Sequence, residues 1–227
     1  MKRIVFTKVN TAELLDFEIA APSAGEVQVE LVMSSVSSGT ERANITGDPY
    51  VSVVATVPDT TFPRSGGYSS AGVITGVGAD AEGFSVGDPV ALSWSTHSQK
   101  QNISAKLVHK LEGVSFSDGA LMHIATFPLA AIRSSDFTID YYRKVHGPGI
   151  TLIGAHTMAR PIRDSSDGWW TEWDDFEALL KLTRLGRIRL SDLVEEIHSP
   201  EEAPAVYERL CAEKTFPLVQ FDWRRLK

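Results

Sequence analysis

The first half of the chain is a series of short apolar segments separated by Gly, Pro and Asp, and this pattern limits the fold more than any other feature. In the clearest segment, Val27, Val29, Leu31 and Met33 occupy every second position, the period of a half-buried strand. Further strands are predicted at residues 69–76, 89–94 and 104–111. Many short strands with turn residues between them predict a closed or partly open β-barrel. With 227 residues, 43% of them hydrophobic, the chain can bury a sizeable core as one domain.

Helix signals are few among the early strands and become more frequent in the second half of the chain. A short helical turn is predicted at residues 40–45, and Ser117 is the expected cap of a helix that runs through Leu121, Ile124 and Leu129 with a kink at Pro128. Thr171 with Asp174, and Ser199 followed by residues 200–202 (PEE), are start signals for two later helices, the first ending at Gly186. Residues 216–223 are predicted to form a terminal strand. Strands followed by helices favour an α+β fold.

Five segments carry more specific information. They are residues 35–42 (SVSSGTER), 62–74 (FPRSGGYSSAGVI), 84–90 (FSVGDPV), 149–156 (GITLIGAH) and 199–204 (SPEEAP). In order and spacing these segments resemble the GroES-like catalytic domain of the medium-chain dehydrogenase/reductase family, which includes the zinc-type alcohol dehydrogenases and their quinone reductase relatives. The resemblance implies a partly open β-barrel of GroES type with flanking helices, and an NAD(P)-dependent oxidoreductase as the parent activity.

The resemblance also implies a nucleotide-binding Rossmann domain, which the sequence does not show. The helical run 118–133 meets residues 136–145 across Ser134-Ser135, where that domain would be inserted. The glycine-rich segment 76–83 (GVGADAEG) continues into another apolar strand, so it is interpreted as a hairpin connection. The predicted organisation is therefore a single domain, residues 1–227, built from 1–133 and 136–227. We expect no cofactor bound to this chain.

The resemblance places three zinc ligands at positions that hold Ser38, Tyr68 with Ser69, and a residue near His123. Hydroxyl groups are poor substitutes for thiolate or imidazole on zinc, so no catalytic zinc is predicted. Cys211 is the single cysteine, which excludes an intramolecular disulfide and a Cys-rich structural zinc site.

Four residues are candidates for catalytic roles. Thr40 stands where the zinc enzymes use a hydroxyl to relay a proton, and it is also a candidate helix cap. Glu41 is a tentative candidate that can instead form a local ion pair with Arg42; residues 39–42 resemble a motif of a zinc-free branch of the family. His123, also tentative, can act as a general acid or base near neutrality or be a core histidine. Tyr68 can orient a carbonyl oxygen or simply line the barrel wall.

One more histidine and a cluster of tryptophans complete the set of notable residues. His97 is predicted to be exposed, and a metal site of His97, His123 and Glu41 is disfavoured. Trp169, Trp170 and Trp173 form an aromatic cluster that can line a cleft or cover the face left by the missing domain, and a homodimer through that face is a further hypothesis.

Three functions remain open from the sequence. The first is the substrate domain of a zinc-free reductase-like oxidoreductase that binds a small carbonyl or alcohol compound and cannot transfer hydride alone. The second is a cofactor-free acid-base enzyme, an isomerase or dehydratase, and the third is a binding module without chemistry. A net charge of −7 argues against a nucleic-acid partner. The sequence shows no membrane span and no early signal sequence, so a cytoplasmic location is expected.

Overall fold

Within the residues that the structure describes, ten strands form two sheets, and the larger sheet is built on one long strand. The computed structural model describes residues 1–49, 61–126, 140–149, 161–163 and 171–227, and all structural statements concern these residues. The smaller sheet has the antiparallel order β2-β1-β4, and the larger has the order β8-β6-β5-β3-β10-β9, with β7 also paired to β3. The strands are β1 (Lys2–Lys8), β2 (Thr11–Asp16), β3 (Glu26–Ser35), β4 (Arg64–Ser65), β5 (Ser69–Val77), β6 (Pro89–Ser93), β7 (Lys100–Ser104), β8 (Val108–Lys110), β9 (Glu196–His198) and β10 (Val219–Asp222).

Strand β3 organises the larger sheet because it pairs with three neighbours. It is antiparallel to β5 along most of its length, to β7 over its first half and to β10 over its last three residues. Val27, Val29 and Leu31 are buried in the main core, as their alternation predicts. The two sheets are joined where the Ile4 amide donates to the His97 carbonyl at 2.9 Å and the Gln99 amide to the Lys2 carbonyl at 2.7 Å. Ile4 and Phe6 of the smaller sheet pack in the same core cluster as these strand residues, while Met33, Ala71 and Phe176 belong to a second cluster.

Five α-helices lie against this framework. They are α1 (Ser38–Ile45), α2 (Phe116–Gly119), α3 (Met122–Ala125), α4 (Glu172–Arg184) and α5 (Ala203–Ala212), and residues Tyr142–His146 form a π-helical turn. The predicted cap of α4 is confirmed, because Thr171 and Asp174 form a reciprocal capping box. Ser199 forms the same arrangement with Glu202 ahead of α5. Gly186 follows the end of α4 with a φ of +65°, which confirms the predicted stop.

Several boundaries differ from the sequence predictions. The strand predicted at 104–111 is interrupted by a 3-10 turn, because the Ser104 hydroxyl accepts from the Lys106 amide. Ser115 rather than Ser117 caps α2, and the expected long helix is divided into α2 and α3; Leu129 and Pro128 lie outside the described residues. The terminal strand is limited to β10 because the Asp222 carboxylate caps a following 3-10 turn.

The elements after position 190 form a small β-α-β unit. Strands β9 and β10 are parallel, with α5 between them, and β10 joins the larger sheet beside β3. Mixed sheets with flanking helices confirm the α+β class. Ser134 and Ser135 lie outside the described residues, so the proposed join between the two parts remains a prediction. Among the helices described, none is long and apolar enough to cross a membrane.

Candidate functional site

Three hydroxyl groups meet where α1 approaches the start of β5. Tyr68 directly precedes β5, Ser37 holds the N-cap position of α1 without a side-chain cap bond, and Thr40 lies in the first turn of that helix. The Tyr68 hydroxyl donates to the Ser37 Oγ, and its oxygen lies 3.5 Å from the Thr40 Oγ1. Each hydroxyl can donate one hydrogen bond and accept others, so the cluster is able to orient a polar oxygen of a ligand. The structure thus brings together Thr40 and Tyr68, two of the four candidates from the sequence.

His123 lies beside this hydroxyl cluster among aromatic rings. Its ring meets those of Tyr68 and Trp94 edge to face, with centroids 5.6 and 4.7 Å away. Trp94 follows β6 with a φ of +57°, a left-handed conformation that is costly for a bulky residue, while its side chain remains 36% exposed. Strained residues of this kind concentrate at functional sites. The rings of Tyr68, Trp94 and His123 therefore form an aromatic wall next to the hydroxyl cluster.

A buried carboxylate accompanies the imidazole. The Glu172 Oε1 lies 3.3 Å from the His123 Nδ1, and both side chains are at most 5% exposed. Glu172 is the first residue of α4, where the helix dipole favours negative charge. The contact is an ion pair when the imidazole is protonated, but it does not have hydrogen-bond geometry, so it does not orient the ring as the carboxylate of a catalytic triad does. The pair has the components of an acid-base group.

The position of His123 depends on polar contacts between the larger sheet and α2. The Ser69 hydroxyl donates to the Ala120 carbonyl at 2.7 Å. The Gln220 amide on β10 donates to the Ser117 carbonyl at 2.8 Å and accepts from the Ser117 hydroxyl at 2.6 Å. These bonds connect two strands to the turn that leads into α3. The hydroxyl of Ser117, expected to cap the helix, instead attaches it to the sheet.

Glu41 and His97 form a buried pair directly behind the hydroxyl cluster. His97 is 1% exposed, so the prediction of an exposed loop histidine is wrong. Its Nε2 lies 3.1 Å from the Glu41 Oε2, which also accepts from the Tyr207 hydroxyl. Glu41 does not pair with Arg42, whose guanidinium donates to the Glu213 carbonyl at 2.7 Å. Capping by Thr40 is also wrong, because Ser37 holds the cap position and the Glu41 Oε1 accepts from its amide at 2.8 Å.

With Ser34, the same pair forms a serine, histidine and carboxylate series, but the ring nitrogens are exchanged relative to a hydrolase triad, in which the serine meets Nε2 and the carboxylate meets Nδ1. The Ser34 Oγ lies 2.8 Å from the His97 Nδ1, while Glu41 contacts the other ring nitrogen. The Ser34 Oγ, however, also accepts from the Trp223 Nε1 at 2.9 Å, and the serine is only 1% exposed. A nucleophile must reach its substrate, so this burial excludes nucleophilic catalysis by Ser34.

Sequence reasoning missed Trp94, Ser37, Glu172 and Tyr207. Two of these residues could have been found from the sequence. Ser37 lies in the same segment as Thr40, and Trp94 lies shortly after segment 84–90, so both are near residues that carry the resemblance. Glu172 and Tyr207 come from distant segments, and no local pattern connects them with His123 or Glu41. Trp173 lies in α4, whereas Trp169 and Trp170 are outside the described residues.

A second feature lies away from these residues. A cavity of about 780 Å³ is lined by Phe84, Lys106, Lys110, Trp173 and Glu177, among others. Beside it, the His109 ring is stacked between Trp173 and Phe176, with centroids 3.9 and 3.8 Å away. Burial lowers the pKa of His109, against the opposing effect of the neighbouring Glu177 carboxylate. The cavity contains none of the candidate site residues, and its lining mixes both signs of charge.

The groups implied by the resemblance do not fit the described residues. At the three zinc positions the chain offers Ser38, the Tyr68 phenol and His123, and the phenol is bonded to Ser37. The described residues contain no group of three or more His, Cys, Asp or Glu side chains suited to a metal ion. Zinc sites in proteins use thiolate, imidazole and carboxylate ligands, so this donor set does not suit zinc.

Two places among the described residues that are candidates for a dinucleotide do not fit one. Segment 76–83 connects the antiparallel strands β5 and β6, which confirms the hairpin prediction. In the β-α-β unit, the turn before α5 carries Glu201 and Glu202 in place of glycines, so a pyrophosphate there would meet two carboxylates.

Comparison with solved structures identifies the fold. Galactitol-1-phosphate dehydrogenase from Escherichia coli aligns over 98% of this chain and 100% of its own, with a TM-score of 0.74 and 12% identity. A thermostable alcohol dehydrogenase from Pyrobaculum aerophilum aligns over 98% and 99%, with a TM-score of 0.72 and 13% identity. The quinone oxidoreductase of Escherichia coli, solved with NADPH, aligns over 98% and 100%, with a TM-score of 0.62 and 16% identity.

The chain therefore has the fold of the medium-chain alcohol dehydrogenases and quinone oxidoreductases, which confirms the resemblance at the level of the fold. A scan against protein-family models finds no match. A search of curated proteins likewise finds no significant match.

Proposed function

We propose that this chain is a GroES-like substrate domain, without zinc and without a nucleotide-binding domain, that binds a small carbonyl or alcohol compound. The observation that carries the proposal is the Thr40, Tyr68 and Ser37 hydroxyl cluster beside the exposed ring of Trp94. A carbonyl oxygen accepts hydrogen bonds from the Ser37 and Thr40 hydroxyls, with Tyr68 orienting the Ser37 hydroxyl to which it donates, while the apolar part of the compound packs against the indole. Such sites combine a mainly apolar wall with a few well-placed polar groups.

On this proposal the chain does not transfer hydride by itself. In a nicotinamide enzyme the cofactor performs the hydride chemistry and the protein orients the reactants. The described residues supply orienting groups, and neither segment 76–83 nor the turn before α5 fits a dinucleotide. The same proposal includes three further points. Residues 1–227 form a single domain joined at Ser134-Ser135, the protein is cytoplasmic, and it forms a homodimer through the face left by the missing domain. A monomeric mass measured by light scattering would contradict the homodimer.

A titration with benzaldehyde as the probe tests the site. We expect saturable chemical-shift changes in the wild-type protein. The affinity for benzaldehyde should be lower in Tyr68→Phe and in Thr40→Val, which each remove one of the hydroxyls. Tyr142→Phe is the matched control, because that tyrosine is 73% exposed and lies outside the site. Absence of saturable shifts with benzaldehyde, or equal weakening in the control, would contradict the proposal.

The contact between Glu172 and His123 supports a second candidate, a cofactor-free proton transfer. A histidine beside a carboxylate can remove a proton next to a carbonyl group. His123 is fully buried in the ligand-free chain, so this candidate also requires the neighbouring Trp94 ring to move away from the imidazole. We expect the protein in heavy water to speed deuterium exchange at the α-carbon of cyclohexanone, and His123→Ala to abolish the effect. Binding of the ketone without exchange would leave only a binding function for the site.

A further inference from the structure

The hydroxyl cluster of the candidate site rests on a buried polar network. Glu41 is the centre of this network: its Oε1 accepts from the Ser37 amide, and its Oε2 accepts from His97 and from the Tyr207 hydroxyl. All three side chains, Glu41, His97 and Tyr207, are at most 1% exposed. A buried carboxylate is costly unless its lone pairs are used, and here three donors reach it.

The network continues beyond the carboxylate in a consistent order of donors and acceptors. The Trp223 indole donates to the Ser34 hydroxyl, which lies 2.8 Å from the His97 Nδ1. If the Ser34 hydroxyl donates to that nitrogen, the His97 Nε2 carries its proton toward Glu41. Every donor then has an acceptor, so the network fixes the orientation of the imidazole.

The backbone that leads into Tyr68 lies directly on this network. A Cβ at Gly67 would come within 2.9 Å of the His97 amide nitrogen and ring, and the residue has a φ of +87°. A Cβ at Gly66 would come within 2.7 Å of the Phe6 ring and 3.3 Å of the Glu41 Oε2. The His97 amide also donates to the Gly66 carbonyl at 3.1 Å. Residues 66–67, which lead into Tyr68, therefore pack directly against His97, Glu41 and the Phe6 ring.

We infer that Glu41, with His97 and Tyr207, positions the hydroxyls of Ser37 and Tyr68, so that α5 controls the geometry of the candidate site. Glu41 reaches Ser37 through its amide, and it supports Tyr68 through the two glycines. Tyr207 extends this control to α5, a segment far away in sequence. Glu41 is thus a positioning residue, not one that touches the ligand. The inference rests on the proposed function for its purpose, but the positioning itself can be measured without a ligand.

The test uses the Tyr68 phenol as a reporter in the ligand-free protein. The chain has five tyrosines, so labelling with ¹³C at Cζ gives a spectrum in which Tyr68→Phe identifies the Tyr68 signal. We expect Glu41→Gln and Tyr207→Phe each to shift or split this signal, because the Ser37 acceptor and the glycine backbone lose their support. If the wild-type protein binds benzaldehyde, each of these two variants should bind it about fivefold more weakly, because one orienting hydrogen bond is lost.

Leu210→Val is the matched control. Leu210 is a fully buried residue of α5 that packs in the core and has no polar side-chain atom for the network, so this variant loosens the same helix without removing a network bond. Its Tyr68 signal should remain that of the wild type. An unchanged signal in both network variants, or an equal change in Leu210→Val, would overturn the inference. Failure of the benzaldehyde titration with a changed Tyr68 signal would instead reject the proposed function and keep the positioning role.

Discussion

Tyr207→Phe is the most informative single change, because it removes one oxygen and keeps the ring. The Tyr207 ring contacts Phe6 edge to face at 4.9 Å and also lies 6.1 Å from the Phe221 ring, and phenylalanine retains both contacts. The lost interaction is the hydrogen bond to the buried Glu41 carboxylate. A hydrogen bond to a charged group contributes about 1.5–3 kcal/mol, so the free energy of unfolding should fall by about 2 kcal/mol. For a chain of this size, that loss corresponds to a decrease in Tm of about 4–8 °C.

The assay is thermal and urea unfolding of the wild type, Tyr207→Phe and the exposed control Tyr142→Phe. The control should unfold as the wild type does. If Tyr207→Phe matched the control, the carboxylate would not depend on the phenol and the proposed network would be refuted. An increase in stability would refute it equally.

The same variant gives a test at alkaline pH. Burial, followed by the Glu41 charge, raises the pKa of the Tyr207 phenol well above its usual value. The neutral phenol therefore stabilises the folded state fully below the unfolded pKa of about 10, and this contribution is lost as the pH rises above that value. The stability difference between wild type and Tyr207→Phe should narrow above pH 10. A constant difference up to the alkaline limit of folding would contradict this linkage.

Three further predictions concern other parts of the chain. Trp94→Gly should be more stable than Trp94→Ala by about 1 kcal/mol in urea unfolding, because glycine accepts the φ of +57°; equal stability would argue against strain at this position. Gly67→Ala should cost at least about 2 kcal/mol more than Gly83→Ala, since both have positive φ but only Gly67 would bring a Cβ against the His97 backbone; similar losses in urea unfolding would contradict the close approach. Burial lowers the pKa of His109, so the neutral imidazole contributes its full share to the free energy of unfolding above pH about 6.5, and this share declines as the pH falls below that value. His109→Leu should therefore reduce the decrease in Tm between pH 7 and 5. An unchanged dependence of Tm on pH would show that another group is responsible.

The sequence predicted the parts of the fold that depend on local pattern. The alternation from Val27 to Met33 predicted the central strand, and the Thr171 and Ser199 signals predicted the starts of two helices. The predicted start of α2 was wrong because two serines, Ser115 and Ser117, lie near it and either is a suitable cap. Tertiary contacts decide between them: the Ser117 hydroxyl donates to Gln220, and Ser115 caps the helix.

The candidate site was predicted only in part, for a physical reason. Thr40 and Tyr68 lie in segments that carry the resemblance, and the structure places them together. His97 was misjudged because its loop is locally polar, whereas its burial comes from residues 66–67 and from Glu41 and Ser34. The roles of Tyr207 and Glu172 depend on contacts between distant segments, which local sequence patterns do not encode.

Calorimetric titration of the chain with benzaldehyde and, separately, with NADPH is the most direct test of a substrate domain without a nucleotide platform. We predict saturable heat with benzaldehyde that is reduced by the combined Thr40→Val and Tyr68→Phe changes, and no saturable heat with NADPH. Saturable binding of NADPH at micromolar concentration would contradict the account, whatever the result with the aldehyde.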